Sequence, residues 1–310
     1  MTSSQWSFTR ADGGSLHVHQ WSPEGPPRAV VHIAHGIGEH AARYARLATA
    51  LTGLGLVVYA HDQRGHGHSR ADGEPYGHWG DGDGFEDCCE DVRGLLAHHA
   101  QTHPDLPRVL FGHSGGSLMA QALLARAPHL FDVVALSGTS GPPPPIAAAG
   151  RAVAAVEMRR LGPRGESPII RKLSFDDFNR RFRPNRTEAD WLSRDEREVD
   201  AYVSDPMCGA PGTVATWRSL LGHLPRLTQA QALANLPRDK PVYLFSGTHD
   251  PVGEMGRGVI ELVDRYRAAW MTDVTYRLYD GGRHEMLHEL NRDEVTEELL
   301  AWLRDRLGLA

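Results

Sequence analysis

The chain has only three cysteines among 310 residues, no long basic run, and no apolar stretch long enough to cross a membrane. Each shortage excludes something. Cys88, Cys89 and Cys208 are odd in number and the first two are adjacent, which suits reduced thiols in a cytoplasmic protein and not a disulfide framework. The opening Met1-Thr2-Ser3-Ser4-Gln5-Trp6-Ser7 has neither a basic head nor an apolar stretch, so no secretory signal is expected. A net charge of -6 with both signs well mixed gives no reason to expect nucleic acid or an electrostatic membrane anchor. None of these features speaks to oligomeric state. The length suffices for one large α/β domain or two smaller ones.

What is present is a rhythm. Gln5–Arg10 and Ser15–Trp21 alternate in polarity around Asp12-Gly13-Gly14, the pattern of an antiparallel hairpin. Short β-rich runs follow at Ala29–Ala34, Leu56–Ala60, Arg108–Phe111, Val133–Leu136, Val242–Phe245 and Val274–Tyr279. They alternate with helical stretches near 41–53, 84–101, 115–127, 254–269 and 291–307, which implies an α/β fold with a mostly parallel sheet covered on both faces. Right-handed crossovers then set the strand C-terminal ends along one rim.

One segment breaks the rhythm. From Gly141-Pro142-Pro143-Pro144-Pro145 to about Leu227 no parallel strand is evident, and an interruption this long needs structure of its own. Helices are expected near 146–161 and 211–223, with the Arg-rich, aromatic stretch Phe175–Pro184 between them. The expected organisation is therefore a core in two parts, 1–140 and 228–310, with a helical cap over 141–227 covering the rim. The apolar face of the helix near 146–161 is a candidate for transient contact with lipid surfaces. Arg180, Arg181, Arg183 and Arg186 read first as a solvated cap surface and second as a site for phosphate.

The chemistry centres on Gly112-His113-Ser114-Gly115-Gly116, a G-x-S-x-G between an apolar run and a helix-like stretch. A serine on a sharp strand-to-helix turn needs small neighbours, and its hydroxyl stands clear of the sheet. Serine also needs a general base and an orienting carboxylate. Of the histidines after residue 205, His284 follows the final strand and a Gly-Gly turn; His223 falls in the expected cap, and His249 precedes an acid candidate. That acid is Asp250, on the loop after the penultimate strand, with Asp280 as the competitor. An oxyanion needs preorganised donors, for which the backbone N–H groups of Gly115 and Ile37 are placed.

These motifs carry a family resemblance. His35-Gly36-Ile37-Gly38-Glu39-His40-Ala41-Ala42-Arg43-Tyr44 is similar to the H-G-x-G-E-H-x-x-R-Y signature of the monoacylglycerol lipase / lysophospholipase group of α/β-hydrolases, which is S33-like. Asp62-Gln63-Arg64-Gly65-His66-Gly67-His68-Ser69 resembles its D-x-R-G-H-G-x-S, and Trp191–Asp195, Asp205-Pro206 and Gly282-Arg283-His284-Glu285 resemble further segments. The resemblance implies eight strands and a helical cap shaping an acyl channel. It also implies hydrolysis of monoacylglycerols, lysophospholipids or other small acyl esters with no cofactor and no metal. Carried over by position, the triad is Ser114, Asp250 and His284, with Ile37 and Gly115 as oxyanion donors. Where relatives have G-H-S-M-G-G this chain has Gly112-His113-Ser114-Gly115-Gly116-Ser117, which predicts more room or mobility beside the scissile carbonyl.

Other readings compete. His284-Glu285-Met286-Leu287-His288 spells H-E-x-x-H, a zinc signature if both histidines share one face of a continuous helix. An amidase or aminopeptidase could use the same scaffold, and a non-catalytic binding protein usually shows a broken triad. Haloalkane or epoxide opening calls for an aspartate where Ser114 stands. Glu39 and Arg43 read first as a structural ion pair and second as orienting the catalytic loops or meeting a polar head group, and Arg64, His66 and His68 as holding a turn beneath the oxyanion loop.

Overall fold

Runs rich in valine, leucine and alanine, five or six residues long, form strands buried on both faces, as a parallel sheet between two helical layers requires. The computed structural model describes residues 1–144 and 146–309. Pro145, which ends the proline run, and Ala310 lie outside the described residues. The strands are β1 (Thr2–Thr9), β2 (Ser15–Ser22), β3 (Ala29–Ala34), β4 (Leu56–His61), β5 (Arg108–His113), β6 (Val133–Ser137), β7 (Val242–Gly247) and β8 (Val274–Tyr279). They form one eight-stranded sheet in the order β1-β2-β4-β3-β5-β6-β7-β8. The β1–β2 hairpin is antiparallel and joins β4 antiparallel; every other pairing is parallel.

Helices α1 (Ala45–Gly53), α2 (Gly84–Thr102) and α3 (Gly115–Arg126) fall among the first strands. Between β6 and β7 come α4 (Ile146–Leu161), α5 (Pro168–Leu173), α6 (Phe175–Arg180), α7 (Glu196–Ser204), α8 (Val214–Leu227) and α9 (Ala230–Ala234); α10 (Arg257–Ala268) and α11 (Arg292–Arg306) complete the chain. Strand periodicity divides the core. Val31, Ile33, Phe111 and Phe245 pack under α1 and α11, whereas Leu110, Val134, Leu136 and Leu244 pack under α2, α3 and α10. All three cysteines are free, with Cys88 and Cys89 fully buried on α2.

The helix expected near 211–223 runs on to Leu227 through Pro225. A proline this close to the helix end costs one backbone hydrogen bond and does not stop the last turn. α8 packs Leu220 against Trp79, Phe85 and Leu118, which roots the insertion in the core. Its other aromatic cluster gathers Phe175, Phe178 and Phe182 around Trp191, Leu192, Val199 and Tyr202.

Candidate active site

The turn from β5 into α3 is over-determined. Ser114 has φ 49° and ψ −118°, a conformation that costs a non-glycine residue about 1–3 kcal/mol and persists only where its surroundings enforce it. They do so at close quarters. A Cβ on Gly112 would lie 2.6 Å from the Gly116 carbonyl oxygen, and one on Gly116 would lie 2.6 Å from that of His35. The Ser114 N–H donates to the Ser137 carbonyl at 2.9 Å, pinning the turn to the end of β6.

The loop after β3 supplies the facing wall. Glu39 Oε1 accepts the Gly36 N–H at 2.6 Å, and His66 Nε2 accepts the Gly38 N–H at 3.2 Å. The intervening Ile37 N–H is left without an internal acceptor among the described residues. Gly115 opens α3, so its N–H has no carbonyl four residues back within the helix. The two amides are neighbours: a Cβ on Gly115 would sit 3.6 Å from Ile37 N and 3.2 Å from Ile37 Cγ1. The space a side chain at 115 would take is therefore bounded by Ile37.

Asp250 and His284, on the loops after β7 and β8, meet. The His284 Nδ1–H donates to Asp250 Oδ1 at 2.9 Å, with both side chains buried. Asp250 also accepts from the Ser246 hydroxyl at 2.6 Å and the Val252 N–H at 2.9 Å. Burial alone would raise the Asp250 carboxyl pKa, but the adjoining imidazole and these donors outweigh it and hold it below 3.8. Burial would likewise depress His284, yet the Asp250 charge and hydrogen bond win and raise it above 6.5. His284 Nε2, the nitrogen Asp250 leaves free, is buried with no partner. No hydrogen bond joins it to the Ser114 hydroxyl among the described residues. Both residues line one cavity of about 780 Å³, together with Ile37 and Gly115.

Asp280 lies elsewhere. It is exposed and, among the described residues, accepts only the Thr248 hydroxyl, at 3.4 Å. The H-E-x-x-H run does not form a helix with paired histidines: residues Met286–His288 make a single 3₁₀ turn, and His288 Nδ1 faces Glu198 Oε2 at 2.8 Å while His284 faces Asp250.

The expected Glu39–Arg43 ion pair forms, but sequence reasoning missed the buried charge network that extends it to Glu285, beside His284. Arg43 binds Glu285 through two 2.7 Å contacts and Glu39 through a third at 2.8 Å, and Glu39 also accepts the Tyr44 hydroxyl. It thereby couples the loop of Ile37 to the loop of His284. Burial would raise both carboxyl pKa values, but the Arg43 guanidinium holds them down. Nor does the sequence reveal that Trp191 and Leu192 hold the His284 loop: their carbonyls accept the His284 and Glu285 N–H groups at 3.4 and 2.8 Å, and the Trp191 ring lies 5.0 Å from the imidazole. Backbone acceptors carry no residue-type signal, so only the W-L-S-R-D resemblance hinted at them. His66, by contrast, sits as expected beneath the loop of Ile37, while Arg64 pairs with Asp91.

The rest of the cavity is mostly apolar. Ile146, Val153, Leu173, Leu220, Leu221 and Leu224, from α4, α5 and α8, line it. Its four carboxylates all face arginines: Glu39 and Glu285 pair with Arg43, Asp177 with Arg180, and Glu254 with Arg257.

Comparison with known proteins places these features in context. The family model described as serine aminopeptidase, S33, matches residues 25–291. The chain is similar to a monoacylglycerol lipase of Mycolicibacterium smegmatis, 31% identical over 99% of each chain. It is also similar to a monoglyceride lipase of Mus musculus, 30% identical over 98% of this chain and 91% of the other. Among solved structures, a thermostable carboxyl esterase from Bacillus coagulans in complex with glycerol superposes with a TM-score of 0.90, at 27% identity over 99% of both chains.

Proposed function

Since the chain belongs to the serine aminopeptidase S33 family of α/β-hydrolases, we propose that Ser114, Asp250 and His284 form its nucleophile, orienting acid and base. The protein is a carboxylic-ester hydrolase for monoacylglycerols or other small acyl esters. The observation that carries the assignment of residues is the relay's open end. Asp250 fixes His284 through Nδ1, leaving Nε2 buried, unpartnered and on the cavity that Ser114 also lines.

The chemistry follows from that geometry. His284 Nε2 takes the Ser114 proton as Oγ attacks the ester carbonyl, and Asp250 stabilises the imidazolium. The Ile37 and Gly115 N–H groups receive the oxyanion, a contribution of about 3–4 kcal/mol for a donor of this kind. Collapse passes the proton from His284 to the departing alcohol. Water, deprotonated by the same nitrogen, then releases the acid. An aminopeptidase would need a carboxylate for the substrate's ammonium group, and every carboxylate lining the cavity faces an arginine. That favours esters over aminoacyl amides.

Residues 141–227 act, in this reading, as a cap whose apolar wall receives the acyl chain, with 1–140 and 228–310 as the core. No helix among the described residues is long and apolar enough to cross a membrane. Exposed Ile146 and Val156 on α4 favour transient contact with a lipid surface, and three free thiols fit a reducing, cytoplasmic setting. Ser114→Ala is expected to abolish ester turnover and leave the circular dichroism spectrum unchanged. Appreciable turnover by the folded variant would refute the assignment, and preference for aminoacyl amides over short-chain esters would refute the substrate class.

A further inference from the structure

Away from the cavity, at the edge of the sheet, the hairpin strand β2 presents His17 and His19 on one face, as residues two apart on a strand must be. The antiparallel pairing sets Val18 opposite His61 and His19 opposite Ala60, which brings Asp62, just past β4, beside His17. The Asp62 N–H donates to the His17 carbonyl at 2.9 Å. His17, His19 and Asp62 each offer a ligand atom within 4.8 Å of the others.

Two independent features show that this cluster is unfinished. The Nε2 atoms of both histidines are buried with no hydrogen-bond partner, although His19 is only 7% exposed. Buried imidazole nitrogens in proteins ordinarily have a partner. The carboxylate, moreover, is already oriented: Asp62 Oδ1 accepts the Ala41 N–H and Oδ2 the His68 N–H, both at 2.8 Å, leaving lone pairs over. His19 is braced by Gln5 at Nδ1 and by stacking on Trp21. Beside His17 stands the exposed His68, its ring 4.9 Å from that of His17.

We propose that His17, His19 and Asp62 form a binding site for a divalent transition-metal ion of the zinc class, with His68 able to complete it. Two imidazoles and one carboxylate are a donor set for zinc or cobalt and not for calcium or magnesium, which take oxygen ligands. The ion is structural: it fastens the hairpin to the loop carrying His66, and takes no part in ester chemistry. A second trio, His40, Asp205 and Cys208, is the rival location, but His40 Nε2 is already bonded to Asp205.

Titration of the metal-stripped full chain with Co²⁺, followed by visible absorption, tests the site, with Zn²⁺ and differential scanning fluorimetry as a second readout. The expected result is one saturable equivalent, no thiolate charge-transfer band, and a rise in Tm with Zn²⁺. His17→Gln and His19→Gln should each lose the equivalent, whereas Cys208→Ser should keep it. His17 is partly exposed, so its variant serves where His19→Gln does not fold. Absence of saturable binding, binding that survives His17→Gln, or a thiolate band lost in Cys208→Ser would each overturn the proposal.

Discussion

The two halves of the segment between β6 and β7 meet the site in different ways. Residues 146–180 contribute side chains to the cavity and little else to the reacting groups, and they leave Val156 and Ile169 exposed outside it. Residues 189–210 are bound into the machinery. They hold the His284 loop through the Trp191 and Leu192 carbonyls and Glu289 through Arg194. They hold the loop of Ile37 through the His40–Asp205 pair and the Gly209 N–H on the Gly38 carbonyl. Under the proposed mechanism one insertion serves two purposes: its first half shapes what enters, and its second half fixes where the loops of Ile37 and His284 stand.

The largest effect should arise where the loops themselves are changed. Asp250→Asn is expected to lower kcat about 10⁴-fold by letting the imidazole adopt the wrong tautomer. Asp280→Asn should stay near wild type, and the reverse result would reassign the acid. The pH profile offers a second reading of the same variant. His284 must be neutral to accept a proton, and its pKa is raised above 6.5 chiefly by Asp250, so the acid limb of kcat/KM lies above pH 6.5. Removing the Asp250 charge should move that limb to lower pH. The same shift contributes stability that is fully present below pH 6.5 and is lost as pH rises through the raised value. That of Asp250 is lost as pH falls below 3.8.

Next in size come the ties between loops. Glu285→Gln leaves Arg43 buried with half its charge partners. It should destabilise the fold by about 2 kcal/mol, read by urea denaturation. It should also cost about 10- to 100-fold in kcat through misplacement of the base. A variant as stable and active as wild type would show that the network does not position His284. Asp205→Asn, which weakens the 2.9 Å bond to His40, should act in the same direction more weakly.

The smallest effects should come from the first half of the insertion. Leu173→Ala or Val153→Ala is expected to change kcat/KM by about 10-fold, as a difference of one or two methylene contacts implies. The change should depend on acyl length and leave the pH profile untouched. If such a variant altered all esters equally, the division between the halves would fail.

How much of this could be read beforehand follows the same division. The strand–turn–helix context of Ser114 was legible because G-x-S-x-G needs glycines wherever a Cβ would strike backbone, as it would at Gly112 and Gly116. The positions of Asp250 and His284 were legible from their order after the last two strands, and Ile146–Leu161 from composition. What stayed hidden was whatever depends on distant partners. Glu285 lies 242 residues from Arg43, and in the sequence it belongs to an apparent zinc motif. The Trp191 carbonyl has no residue-type signature at all. His17 and His19 attracted no notice because their partner, Asp62, reaches them only through the antiparallel register of β2 and β4.

The central claim is that the hydroxyl of Ser114 attacks the ester carbonyl, and intact-protein mass spectrometry after exposure to a fluorophosphonate tests it most directly. The account predicts one adduct per chain, mapped to the peptide containing Ser114, formed in step with loss of esterase activity and absent in Ser114→Ala. An adduct on another residue accompanying inactivation, or full activity in a chain fully modified at Ser114, would contradict it.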